Sequence, residues 1–191
     1  MEYSGSADEQ IRIGHRQRIG QPGWARLTSA ATRVHRAALG LWKAPRRSPP
    51  ASQPRPEGLP PARVLVADDH PASRNVLLRI LRDLGMRTDA AASGREAIDR
   101  LRLLDYDLVL MDRWMPGLDG VAATAAIRRR EGAPRRTVVV AMSSEVSREE
   151  HDCLMECGTD DVLLKPVHGK ALEAVLRKWL PQAVERKLAR G

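Results

Sequence analysis

Phenylalanine is absent from this chain, and all aromatics together make up 3% of its 191 residues. A core must therefore be assembled from Leu, Val, Ile, Ala and Met. Aromatic interleaving on a nucleic-acid surface is equally poorly supplied. Cysteine is nearly absent too: Cys153 and Cys157 are the two in the sequence. One i, i+4 pair makes neither a disulfide framework nor a convincing metal site, so both are expected as reduced, structural thiols. No apolar run approaches the roughly 18 residues that a membrane span requires. Met1 is followed by acidic and polar residues with no apolar stretch, so no secretory signal and a cytoplasmic location are the expectations.

Charge and proline are abundant, and both are unevenly spread. The net charge is +8. Residues 1–62 hold ten Arg and Lys against four Asp and Glu, a balance of +6, whereas residues 63–191 hold 22 against 20. Residues 24–43 carry a modest helical pattern through Leu27, Ala31, Val34, Ala38 and Leu41. Residues 44–62 contain seven of the chain's 13 prolines and read as an extended, semi-rigid linker. The expected organisation is a basic, mostly disordered N-terminal extension over 1–62, one folded domain over 63–180 and a basic tail over 181–191. Segment 12–47 could bind an acidic partner or a nucleic-acid backbone weakly and non-specifically, but aromatic interleaving is thin there and no nucleic-acid motif is present.

Beyond residue 62 the pattern alternates. Strands are expected at 63–67, 87–91, 107–111, 137–141 and 161–164, and helices at about 72–84, 95–104, 119–130, 146–156 and 168–180, from the apolar periodicities. Gly85 and Gly158 sit just past two helix ends, as C-caps do. Five βα repeats of this length imply an α/β fold, a (βα)5 doubly wound parallel sheet with right-handed crossovers. Leu176, Leu180, Val184 and Leu188 recur every four residues and would prolong the last helix, but Pro181 interrupts them. The eleven residues after Leu180 are too few for a helix-turn-helix, so sequence-specific DNA binding is not expected.

Four segments end in chemically useful residues: VLVADDH (64–70), LVLMD (108–112), VVVAMS (138–143) and VLLKP (162–166). In an open parallel sheet, polar groups at the carboxyl ends of strands gather along one edge. Asp68, Asp69 and Asp112 would converge there with Lys165 and Ser143 beside them. Three carboxylates repel one another, and an oxygen-only set of this kind suits Mg2+. Taken singly, each of these residues is an ordinary turn or cap residue; the order of all five is the specific signal.

That order, with the MPGLDG run at 115–120 and the Lys165-Pro166 pair, resembles the receiver domain of two-component response regulators and hybrid sensor kinases over residues 63–180. The spacing of 43 from Asp69 to Asp112 agrees. The resemblance implies a flavodoxin-like sheet of order 2-1-3-4-5. It also implies that Asp112 accepts a phosphoryl group from the phosphohistidine of a histidine kinase or a histidine-phosphotransfer protein. Asp69, Asp112 and the backbone carbonyl of Trp114 would hold Mg2+ directly, and Asp68 largely through water. Lys165 would meet a phosphoryl oxygen, Ser143 would donate to one after transfer, and the Lys165-Pro166 bond would be cis. Such a domain promotes its own phosphorylation without being a turnover enzyme. The DDHPASR and DDVLLKP runs look most like receivers of hybrid sensor kinases, so a detached receiver portion of such a kinase is one alternative. A protein-binding module independent of phosphorylation is another. A haloacid-type phosphatase needs a second acid two residues after its nucleophile, where Trp114 stands.

Three departures from the pattern stand out. Val162 occupies the place, three residues before Lys165, where the family usually has Tyr or Phe. Trp114 stands two residues after Asp112, at a position that in the family faces the phosphoryl group. Arg113 replaces a commonly apolar residue and is expected to face solvent, as are Arg128, Arg129, Arg130, Arg135 and Arg136. His70 is read as a loop histidine at the site rim. His35 has no neighbouring acid and is not read as a phosphoacceptor.

Overall fold

The computed structural model describes residues 60–131, 137–145 and 147–188. The expected helix at 24–43, all but the end of the proline-rich linker and the Arg135-Arg136 pair lie outside the described residues. Among the described residues, five strands each followed by a helix, and one further helix, run from Arg63 onward: β1 Arg63–Ala67, α1 Pro71–Asp83, β2 Arg87–Ala91, α2 Gly94–Leu103, β3 Leu108–Asp112, α3 Gly120–Arg130, β4 Val138–Ser143, α4 Arg148–Glu156, β5 Asp161–Leu164, α5 Gly169–Trp179 and α6 Pro181–Leu188. All strand pairs are parallel, in the order β2-β1-β3-β4-β5, which is the order the resemblance implies.

The apolar runs of β1, β3 and β4 reflect this topology, because a parallel sheet is covered on both faces. Val64, Val66, Leu108, Leu110, Val138, Val140, Met142 and Leu163 pack on one face with Leu77, Leu78 and Leu81 of α1 and Leu172, Leu176 and Trp179 of α5. The alternate residues Leu65, Ala67, Val109, Met111 and Val139 pack on the other, with Ala97 and Ile98 of α2 and Ala123 and Ile127 of α3. Ala141 continues that second face against Val121, Leu154 of α4 and Cys157. Strand parity thus decides which face each strand-end side chain enters.

Helix boundaries obey local chemistry. His70, Ser93, Asp119 and Ser147 cap the first turns of α1 to α4 with side-chain acceptors. Gly85 and Gly158 have φ of 81° and 102°. Each closes a double backbone bond onto its helix, Gly85 to Arg82 with Met86 to Leu81, and Gly158 to Met155 with Thr159 to Leu154. Neither cysteine is part of a disulfide. Burial pushes the Cys157 thiol up to about 11, which leaves it protonated and unreactive.

Three expectations are corrected. The stretch after Leu180 is helical, because Pro181 opens a new helix, where its missing N–H is harmless. Val184 of that helix is buried against the α1/α5 core. Arg128 does not face solvent: it is 3% exposed. Its guanidinium donates to Asp160 Oδ2 at 2.5 Å, to Glu131 Oε2 at 2.6 Å and to the carbonyls of Thr137 and Gly158, both at 2.8 Å. Asp160 Oδ2 also accepts from Val139 N–H at 2.9 Å. A buried arginine with this many acceptors is satisfied, and it ties α3 to β4 and to the start of β5. Arg113 is the third correction; it belongs to the site below.

Asp161, at the start of β5, accepts from Lys178 Nζ at 2.8 Å and Trp179 Nε1 at 2.9 Å and so anchors the end of α5. Burial pushes its carboxyl up, but the bonds from Lys178 and Trp179 outweigh this and hold its pKa below the ordinary value. A depressed carboxylate stabilises the fold above its unfolded pKa, and that contribution is lost as pH falls through the folded value. Asp161→Asn should therefore cost about 1–2 kcal/mol at pH 7. In urea titrations the gap between variant and wild type should close as pH falls below the ordinary carboxylate range.

Candidate functional site

The carboxyl ends of β1, β3, β4 and β5 lie side by side, with Ala67 opposite Met111, Asp112 opposite Met142, and Ser143 opposite Leu164. Asp68 and Asp112 continue the parity of Val66 and Leu110, so both carboxylates enter the side covered by α1 and α5. Lys165 continues the parity of Leu163 and enters the same side. Its ammonium donates to Asp112 Oδ2 at 2.6 Å and to Asp68 Oδ2 at 3.1 Å. Asp68 and Asp112 are buried and Asp69 is exposed, and one carboxylate oxygen from each lies within 4.8 Å of the other two. That is the metal-competent acidic group among the described residues.

Asp68 is held by more than Lys165. Its Oδ1 accepts from His70 N–H and its Oδ2 from Ser73 Oγ, each at 2.8 Å, and its carbonyl accepts from Arg74 at 2.6 Å. His70 sits at the rim, where its Nδ1 accepts from Ser73 N–H. Ser73 and Arg74 carry no separate signal in the sequence, although both lie in the DDHPASR run. Asp112 Oδ1 accepts from Trp114 N–H at 3.3 Å. The backbone after Asp112 needs Gly120: a Cβ there would stand 2.1 Å from the Asp112 carbonyl oxygen. Only glycine lets α3 start this close to the end of β3. Asp119 caps the same helix by accepting from Ala122 N–H at 2.7 Å.

Burial around a cation sets the electrostatics. Desolvation raises the Asp112 pKa, and the hydrogen bond and charge of Lys165 oppose that rise without cancelling it. Burial pushes the Lys165 ammonium down, but its bonds to Asp112 and then Asp68 outweigh this, so its pKa lies above the ordinary value. The site thus holds a fixed cation against a carboxylate, with further negative charge alongside.

Ser143 is buried, but its hydroxyl does not touch the acidic cluster. It donates toward Glu145 O at 2.7 Å and Glu150 Oε1 at 3.0 Å. Its carbonyl accepts from Lys165 N–H at 2.8 Å, joining the two strand ends. Arg113, expected in solvent, is instead 8% exposed and pairs with Glu150 of α4. Parity explains this, since Arg113 comes directly after Asp112 and enters the opposite side, where α4 lies. Its guanidinium also sits 4.7 Å from the ring centroid of Trp114, whose indole is 50% exposed. Val162 is half-buried against the Val121, Ala141 and Leu154 cluster. The Lys165-Pro166 bond is cis.

The family model described as the response regulator receiver domain matches residues 64–177. Among curated proteins, the sensor histidine kinase GacS of Pseudomonas protegens is 34% identical over 160 residues, covering 83% of this chain and 17% of that protein. The histidine-protein kinase BarA of Escherichia coli K12 is 29% identical over 118 residues, covering 62% of this chain and 13% of BarA. The chain thus spans under a fifth of the length of these relatives. Among solved structures, the receiver domain of the sensor histidine kinase PA1611 from Pseudomonas aeruginosa, with magnesium coordinated in its active-site cleft, superposes with a TM-score of 0.58 at 30% identity, covering 63% of this chain and 98% of that one. The Saccharomyces cerevisiae complex of the histidine phosphotransfer protein Ypd1 with the receiver domain of Ssk1 gives a TM-score of 0.59 at 25% identity, covering 65% of this chain and 92% of the matched one.

Lys165→Met would leave two buried carboxylates without their cation. In metal-free buffer the Asp112 pKa should rise further, as read by carboxyl-carbon NMR titration. Stability at pH 7 should fall by about 1–3 kcal/mol. Because the acid's folded pKa then lies further above its unfolded value, the loss should shrink as pH is lowered toward it.

Proposed function

Since the chain belongs to the response regulator receiver family, we propose that it accepts a phosphoryl group on Asp112 from a phosphohistidine and relays it or signals its presence. Receivers of this kind are signalling modules rather than turnover enzymes. The observation that carries the reading is Lys165 Nζ lying 2.6 Å from the Asp112 carboxylate. A carboxylate oxygen of Asp112 attacks phosphorus, the O–P bond forms and the P–N bond breaks, and its electron pair returns to the donor imidazole. Lys165 offsets charge on the phosphoryl oxygens. Its point charge suits that role.

The donor set fits Mg2+, because three carboxylates meet within 4.8 Å and offer oxygen alone. Asp69, Asp112 and the carbonyl of Trp114 would hold the ion, with Asp68 acting through water. When bound, Mg2+ supplies positive charge against the crowded oxygens. The donor would be a histidine kinase or a histidine-phosphotransfer protein; the likeness to sensor kinases and to a receiver crystallised with a phosphotransfer protein supports this class. Val162 in place of an aromatic removes a rotating side chain on the α4 side and favours onward relay over a large surface rearrangement.

Intact-mass spectrometry after incubation with acetyl phosphate and Mg2+ should show one phosphoryl adduct on the wild type and none on Asp112→Ala. An unmodified wild type with an intact fold would overturn the reading. Trp114, half-exposed beside Asp112, should slow attack by water on the aspartyl phosphate. Trp114→Asn should lose the adduct about tenfold faster, a barrier change of ~1.4 kcal/mol; an unchanged decay rate would refute this shielding.

A further inference from the structure

Two side chains near the site have no part in the reading above. Arg113 and Glu150 form an ion pair whose side chains are only 9% and 13% exposed. A charged pair this enclosed is expensive in desolvation unless its remaining bonding capacity is used. Glu150 uses its capacity on Ser143: its Oε1 lies 3.0 Å from the Ser143 Oγ. A serine hydroxyl has one proton to give. Here that proton has two acceptors, Glu150 Oε1 and the Glu145 carbonyl. Both lie on the side of the sheet opposite Asp112 and Lys165, and Glu150 belongs to the first turn of α4.

We infer that Glu150, fixed by Arg113, is a positioning residue that holds the Ser143 hydroxyl away from the acidic cluster and ties it to α4. The inference rests on the reading of Asp112 as phosphoacceptor. A phosphoryl group there adds strong acceptor oxygens and, because the acyl phosphate takes the place of the carboxylate charge, a net of roughly one negative charge at the neighbouring strand end. Those oxygens compete with Glu150 for the one Ser143 proton. If Ser143 turns to them, Glu150 keeps Arg113 alone, and the first turn of α4 loses its bond to the end of β4. Arg113 is the residue directly after Asp112 in the chain, so the latch starts beside the acceptor. It requires no aromatic partner, which accords with Val162 three residues before Lys165.

The latch makes a testable linkage. Beryllofluoride with Mg2+ serves as the phosphoryl mimic, and its uptake by the full chain is read from tryptophan fluorescence. Glu150→Met removes the competing acceptor and should tighten uptake about tenfold. In a Ser143→Ala background the same change should have no effect, because no proton is left to compete for. A merely structural role for Glu150 would shift both backgrounds equally. Should Glu150→Met strand the buried guanidinium and fail to fold, Arg113→Met combined with Glu150→Met removes both charges and should show the same Ser143-dependent gain. Equal shifts in both backgrounds, or uptake that is unchanged or weaker, would overturn the latch while leaving Asp112 as acceptor. A wild type that takes up no beryllofluoride and gains no adduct from acetyl phosphate would overturn both together.

Discussion

The bridge from Lys165 to two buried carboxylates is the interaction on which the rest of this domain's organisation depends. Asp68 and Asp112 sit at the ends of adjacent parallel strands, desolvated and close enough to repel. Without a cation between them the sheet edge would be destabilised or would stay protonated. Lys165 reaches both from the far side of β4, and cis Pro166 comes next in the β5–α5 connection. The same bridge leaves the exposed Asp69 carboxylate at the mouth of the cluster. One ion-pair arrangement therefore meets a structural demand and shapes a reactive cleft.

Strand parity turns that linear arrangement into two compartments. Residues continuing one register, Asp68, Asp112 and Lys165, form the charged cleft over α1 and α5. Residues of the other register, Arg113 and Ser143, meet Glu150 under α4. The sheet is one residue thick, so a change of charge on one side lies a single peptide unit from the other. Communication across the domain then needs no long path of side chains, since Asp112 and Arg113 share a backbone bond.

The strands and their reactive ends are legible in the sequence because both signals are local. A run such as LVLMD can only be a fully covered strand closed by a carboxylate, and the MPGLDG turn sets where the next helix begins. Arg113 and Arg128 escape a sequence reading for the opposite reason. Their partners, Glu150 and Asp160, lie 37 and 32 positions away, and no periodicity records an ion pair made across two elements. Glu150 looks like one acid among several at a helix start. Ser143 is identifiable as a strand-end hydroxyl, but its orientation toward α4 depends on where that helix packs. Pro181 reads as an interruption, although the same lack of an N–H that ends one helix suits it to begin the next.

The arginine network has a consequence of another kind. Arg128 donates to the Thr137 carbonyl, and Glu131 accepts from the Thr137 N–H at 2.8 Å. The two flanks of segment 132–136 are therefore joined to each other by residues that lie outside it. Whatever sequence or length occupies that segment, the ends of α3 and β4 are already held at a fixed separation, and lengthening a closed loop adds only about 0.6 kcal/mol per doubling. For a protein engineer this is a ready insertion port: a peptide tag or a small reporter domain spliced between Glu131 and Thr137 would be carried far from the acidic cleft, at the opposite end of the sheet from the chemistry.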